Sequence, residues 1–173
     1  HARQPYNEFE IPTPSTIYGK SKLAGERFVQ NLCTRHVIVR SSWVYGIGRD
    51  FVNTILEAAN NPSVTSMEVA ENEFASPTSA TELAKVIEQL IDNDCLGIYH
   101  AVCGGFCSRF EFAQAILKAI HAEDQLTLKP TSNSEDTNYS VLDNMMLRLE
   151  DFAQPVSWQQ ALKDYITTTG GNN

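Results

Sequence analysis

The 173 residues carry a formal net charge of −8, with 42% hydrophobic and 20% charged residues, the balance of a globular chain with a sizeable core. Acidic and basic residues are interspersed and no basic patch stands out, which argues against a nucleic-acid partner held by charge. No apolar run approaches a membrane span and no signal peptide opens the sequence, so a cytoplasmic protein with no membrane partner is expected.

Pro5, Pro12 and Pro14 make the first fifteen residues read as an extended loop. Leu23, Ala24, Phe28 and Leu32 recur at helical spacing and predict a helix from Ser15 to about Cys33. The run from His36 to Arg40 is short and nearly all apolar, the pattern of a parallel strand buried on both faces. A loop over 41–50 leads to a helix over 51–59, closed by Asn60-Asn61-Pro62, and a brief strand follows over 66–70. Ser79 and Glu82 have capping-box spacing and open a helix with Leu83, Val86, Ile87 and Leu90 on one face. Residues 97–102 form the next buried strand. Ser108 and Glu111 make a second capping box, starting a helix to about His121. A short strand over 126–129, a polar loop over 131–138, a helix containing Leu142, Met146 and Leu149, and a last helix capped by Ser157 complete the chain before a tail at 170–173. Alternating helices and short strands define an α/β protein with parallel pairing.

Cys33, Cys95, Cys103 and Cys107 show no framework spacing. His100, Cys103 and Cys107 lack the paired ligands of a structural zinc site, so free thiols and no metal are expected. Gly46-Ile47-Gly48 and Gly104-Gly105 each follow a strand and precede a helix, as phosphate-binding glycines do. The third glycine of a dinucleotide fingerprint is missing from the first, and both read as turn glycines.

Tyr18 and Lys22 stand four apart at the start of the first helix and therefore share a face, one turn apart. A phenol with a pKa near 10 is a poor proton donor-acceptor at neutral pH, and a neighbouring ammonium favours its phenolate. The pair suits general acid/base chemistry, although the same spacing also arises by chance on a helix.

Context sharpens that choice. Pro5-Tyr6-Asn7-Glu8, the stretch Pro14 to Glu26, Arg40-Ser41-Ser42-Trp43-Val44-Tyr45-Gly46, Phe51 to Leu56, Phe74-Ala75-Ser76-Pro77-Thr78, Gly97-Ile98-Tyr99-His100 and Ser140-Val141-Leu142-Asp143-Asn144 occur in that order. Together they resemble the dTDP-4-dehydrorhamnose reductase family of the extended short-chain dehydrogenase/reductase class, over essentially the whole chain. The resemblance implies the C-terminal part of a Rossmann-like fold, with an active-site helix and a small α/β substrate-binding domain. Residues 1–50 would be the remnant of the Rossmann-like domain, 51–169 the substrate-binding region and 170–173 a tail.

It also implies hydride transfer from NADPH or NADH to the C4 ketone of a nucleotide sugar. Tyr18 would be the proton donor, and Lys22 would lower its pKa and hold the nicotinamide ribose. Ser41 and Ser42 would pass close to the nicotinamide, and Trp43, Glu73 and Ser76 would line the substrate site. Two departures from the family pattern bear on substrate. Glu73 and Ala75 stand where the family carries glutamine and glycine, and Asp136-Thr137 stand where it carries Arg-Pro.

The dinucleotide-binding half and the family's catalytic Thr or Ser have no counterpart, so a fragment, inactive alone and able to self-associate, is expected. The alternatives are a non-catalytic reductase-like subunit and an epimerase or dehydratase of the same class.

Overall fold

The computed structural model describes residues 4–132 and 138–170. The departure at Asp136-Thr137 and most of the expected polar loop and tail lie outside these residues. Pro12 and Pro14 keep the chain out of a helix until Thr16, whose hydroxyl accepts the Gly19 N–H at 3.0 Å. That cap starts α1 (Ile17–Leu32). Gly19 is required by packing, since a Cβ there would stand 2.8 Å from the Pro14 Cβ. No residue of α1 is buried, and Phe28 and Leu32 lie open on its surface.

β1 (Val37–Arg40) pairs in parallel with β6 (Gly97–His100), Val37 opposite Gly97 and Arg40 opposite His100. All four β1 residues are half-buried, which corrects the expectation of a strand sealed on both faces. β1 has one hydrogen-bonded neighbour among the described residues, and α1 buries nothing against it. Its inward residues Val37 and Val39 pack on Val86, Leu90, Tyr99, Ala101 and Leu147.

The loop after β1 holds β2 (Val44–Tyr45), which pairs in parallel with β5 (Thr78–Ser79). α2 (Phe51–Asn60) is capped by Asp50, and β3 (Ser66–Ala70) pairs in parallel with β8 (Thr127–Thr131). β4 (Glu73–Ala75) is the middle strand of three, between β7 (Cys107–Ser108) and β9 (Asn138–Tyr139). Strands of two or three residues are too short to show a period, which is why β2, β4, β5, β7 and β9 escape the sequence.

α3 (Ala80–Asp92) is capped one way only: Ser79 accepts the Glu82 N–H, but the Glu82 carboxylate turns instead to Lys85 and to the Val156 N–H. Val86 and Leu90 face inward on α3 as expected, Leu83 is half-buried, and Ile87 is exposed. α4 (Arg109–Ala119) has the complete capping box, Ser108 Oγ accepting from Glu111 and Glu111 from Ser108. α5 is shorter than expected (Met145–Leu149), because Leu142 is drawn into a parallel bridge with Tyr6. α6 (Trp158–Gly170) closes the chain.

The main core lies among α2, α4 and α6, centred on Phe112, which is 1% exposed. Its ring meets Tyr45, Phe51, Trp158 and Trp43 at centroid distances of 5.7, 5.9, 5.8 and 6.5 Å. No helix among the described residues is long and apolar enough to cross a membrane.

Candidate active site

α1 is anchored by a fork. Arg40 at the end of β1 donates Nε and Nη2 to the two oxygens of Glu26, at 2.8 and 2.6 Å. One to two turns earlier, Tyr18 is 73% exposed and Lys22 is also open. The described residues supply neither the Tyr18 hydroxyl nor the Lys22 ammonium with a partner, so both stay available to a ligand. Ser41, directly after β1, donates its hydroxyl to the Ala101 carbonyl at 2.7 Å, tying the strand end down. Ser42 is half-buried beside it.

Trp43 breaks the extended run with φ at +39°, a left-handed conformation costly for a bulky residue, on the order of 1–3 kcal/mol. Packing holds it there. Its carbonyl accepts the Thr78 N–H at 3.3 Å, and its indole stacks near Phe112 at an interplanar angle of 22°. The guanidinium carbon of Arg109 lies 3.8 Å from the indole centre and 4.8 Å from the centre of Phe51. Arg109 Nε also faces Glu73 at 3.7 Å. Trp43 and Glu73, both expected in the substrate site, are thus joined through a residue that sequence reasoning missed. Arg109 follows a capping serine and reads there as an ordinary first-turn residue, and nothing in spacing links positions 43, 73 and 109.

Ser76 is 1% exposed and donates its hydroxyl to the Gly105 carbonyl at 2.8 Å. Its hydroxyl is already engaged in holding the turn.

The glycine loops are turns. Asp50 accepts the Gly46 N–H at 2.8 Å, and Asn53 donates to the carbonyls of Gly46 and Gly48. A carboxylate already fills the place a phosphate would need. Gly105, at φ +82°, lies against the Trp158 ring.

Two motifs prove to be joints. Tyr6 N donates to Val141 O and Asp143 N to Tyr6 O, at 2.9 and 2.8 Å. Glu8 Oε1 accepts from the backbone N–H groups of His100 and Met146. His100, 1% exposed, places Nδ1 3.1 Å from the carbonyls of both Tyr6 and Asp143, so Nδ1 carries the proton. Asn144 spans Val102, accepting its N–H at 3.0 Å and donating to its carbonyl at 2.8 Å. The segment leading to α1 is thereby sewn to β6 and α5. Cys103 and Cys107 are buried thiols, pushed up by desolvation to about 11 and about 12.

A parallel α/β frame whose first helix opens on an unpartnered Tyr-x-x-x-Lys turn is that of the C-terminal part of an extended short-chain dehydrogenase/reductase. The chain belongs to the family described as the RmlD substrate binding domain, whose model matches residues 1–170. It is 34% identical over 168 residues to the spore coat polysaccharide biosynthesis protein SpsK of Bacillus subtilis, covering 94% of this chain and 58% of that one. A crystal structure of a dTDP-4-dehydrorhamnose reductase from Clostridium acetobutylicum superposes with a TM-score of 0.90 at 33% identity, covering 98% of this chain and 61% of that one. The Bacillus anthracis dTDP-4-dehydrorhamnose reductase in complex with NADP gives a TM-score of 0.88 at 34% identity, with 95% and 59% covered. The chain therefore spans about three fifths of the length of the relatives it matches.

Proposed function

We propose that the chain is the acid/base and substrate-binding portion of an NADPH- or NADH-dependent nucleotide-sugar reductase. The reaction assigned is reduction of the C4 ketone of dTDP-4-dehydrorhamnose to dTDP-L-rhamnose, a precursor of cell-surface polysaccharide. The observation that carries this reading is the open Tyr18–Lys22 turn, on a helix pinned to β1 by Glu26 and Arg40. The relatives named above support the substrate and the cofactor.

When bound, the nicotinamide supplies the hydride. This chain's part is to deliver the proton. As the C4 oxygen gains charge, the Tyr18 hydroxyl donates to it, and the Lys22 ammonium, a turn away, stabilises the phenolate left behind. The unpartnered donors of both side chains suit a nicotinamide ribose and a ketone oxygen. The Gly46-Ile47-Gly48 loop, closed by Asp50 and Asn53, does not suit a pyrophosphate. That end of the cofactor is assigned to protein outside these residues. Ser41 and Ser42 line the nicotinamide side, and Trp43 and Glu73 bound the sugar side, while Ser76, buried and bonded to Gly105, holds the turn behind them. Residues 1–50 are assigned to the Rossmann-like part and 51–169 to the substrate-binding part, with β6 reaching back to pair with β1. A cytoplasmic location fits four free thiols, and the exposed face of α1 leaves room for a homo-oligomer.

The test is Tyr18→Phe in the complete reductase, followed by nicotinamide absorbance. Loss of the general acid should slow turnover roughly 10²–10⁴-fold. Undiminished turnover would end the assignment.

A further inference from the structure

A diphosphate approaching a chain of net charge −8 needs a local cation, and most of the arginines are already engaged or fully on the surface. Among the described residues only Arg40 and Arg109 are half-buried arginines. Arg40 gives both edges of its fork to Glu26. On the surface, Arg148 gives both terminal nitrogens to Asp143, at 2.6 and 2.8 Å, and Arg35 meets Asp94.

Arg109 differs. Among the described residues its one ionic neighbour is Glu73, 3.7 Å from Nε and beyond hydrogen-bond length. The terminal Nη1 and Nη2 groups have no partner among the described residues, although the side chain is only 24% exposed. Trp43 and Phe51 flank the guanidinium, and Glu73 comes nearest at Nε. What remains is an end-on pair of donors, already oriented and partly desolvated, beside the ring that bounds the proposed sugar site. Such a pair matches two oxygens of one phosphate. The α4 N-terminus does not compete for that anion, because Ser108 and Glu111 close its first turn.

We infer that Arg109 is the residue of this chain that binds the diphosphate of the nucleotide sugar, through Nη1 and Nη2, with Trp43 and Phe51 holding the guanidinium in place. The inference rests on the nucleotide-sugar reading above and adds to it a specificity residue. It also makes Glu73 a competitor of the anionic ligand: the carboxylate stands on the Nε side and draws part of the charge that a phosphate would use.

The experiment is calorimetric titration of the 173-residue chain with dTDP and, separately, with thymidine, for the wild type, Arg109→Gln and Glu73→Gln. Wild type should prefer dTDP over thymidine. Arg109→Gln should weaken dTDP about tenfold to a hundredfold, the range for hydrogen bonds to charged groups, and leave thymidine unchanged. Glu73→Gln removes the opposing charge and should tighten dTDP. Were Arg109→Gln to bind dTDP as the wild type does, the assignment of Arg109 would be overturned while the nucleotide-sugar reading stood. A wild type with no preference for dTDP would overturn both. If Arg109→Gln fails to fold, Glu73→Gln decides alone, and unchanged or weaker dTDP binding overturns the inference.

Discussion

Glu26 and Arg40 meet through two hydrogen bonds, 2.8 and 2.6 Å long, with less than a fifth of either side chain exposed. The pair joins the exposed α1 to the strand it follows onto. Removing one partner strands a charge in a half-buried place, which costs far more than an exposed ion pair is worth. Glu26→Ala should lower stability by about 2 kcal/mol in urea denaturation. Replacing both by well-packed apolar residues, Glu26→Leu with Arg40→Met, should recover much of that loss. A double variant no better than the single one would contradict this account.

Asn144 closes a two-bond clamp on the buried backbone of Val102. Asn144→Ala leaves one N–H and one C=O without partners. Since each unsatisfied group costs about 1–3 kcal/mol, the variant should lose roughly 2–4 kcal/mol. Asn144→Asp keeps the acceptor but turns a buried carboxylate on the Val102 carbonyl, and should lose at least as much as Asn144→Ala. Chemical denaturation of the three proteins orders them.

His100 gives stability a pH dependence. Burial holds its pKa below the ordinary histidine value, against the opposing pull of Glu8; Arg40 lowers it further, while the carbonyls of Asp143 and Tyr6 favour the charged ring. Because the folded ring resists protonation, the unfolded chain binds more protons below the ordinary pKa of about 6.5. Stability should therefore fall as pH drops through about 6.5, and flatten once the folded ring also protonates. His100→Gln should remove this component of the slope. Denaturation midpoints between pH 5 and 8 that run parallel for the two proteins would refute it.

Thiol reactivity should separate Cys33 from the two buried cysteines. Cys33 is exposed, whereas Cys103 and Cys107 are buried and their thiolates disfavoured by desolvation. A chromogenic disulfide reagent should label Cys33 rapidly and reach Cys103 and Cys107 only on unfolding. Rapid labelling of either buried cysteine in the native state would show the core to be looser than the packing around Phe112 implies.

The sequence makes the larger periodic elements legible. Thr16 and Ser108 stand where caps are needed, and α1, α2, α4 and β3 lie close to where spacing places them. Strands of two residues carry no period, and Pro130 inside β8 gives no sign that the strand runs past it. At the site, Tyr18 and Lys22 are readable because four-residue spacing is local. Trp43 and Glu73 are readable only through the family resemblance, and Arg109 is not, since it meets them through tertiary packing. Likewise, Glu8 and Asn144 belong to motifs that spacing alone cannot sort into ligand contacts and structural joints.

The parallel pairings have a kinetic consequence. Val37 finds Gly97 and Ser66 finds Thr127, each about sixty residues further along the chain. Neither pair can form until a long loop has closed, and the entropy of closure is spent before any strand contact repays it. Refolding from urea should accordingly be slow beside helical proteins of this size, with the local turns of α1 and α4 forming well ahead of the sheets they flank.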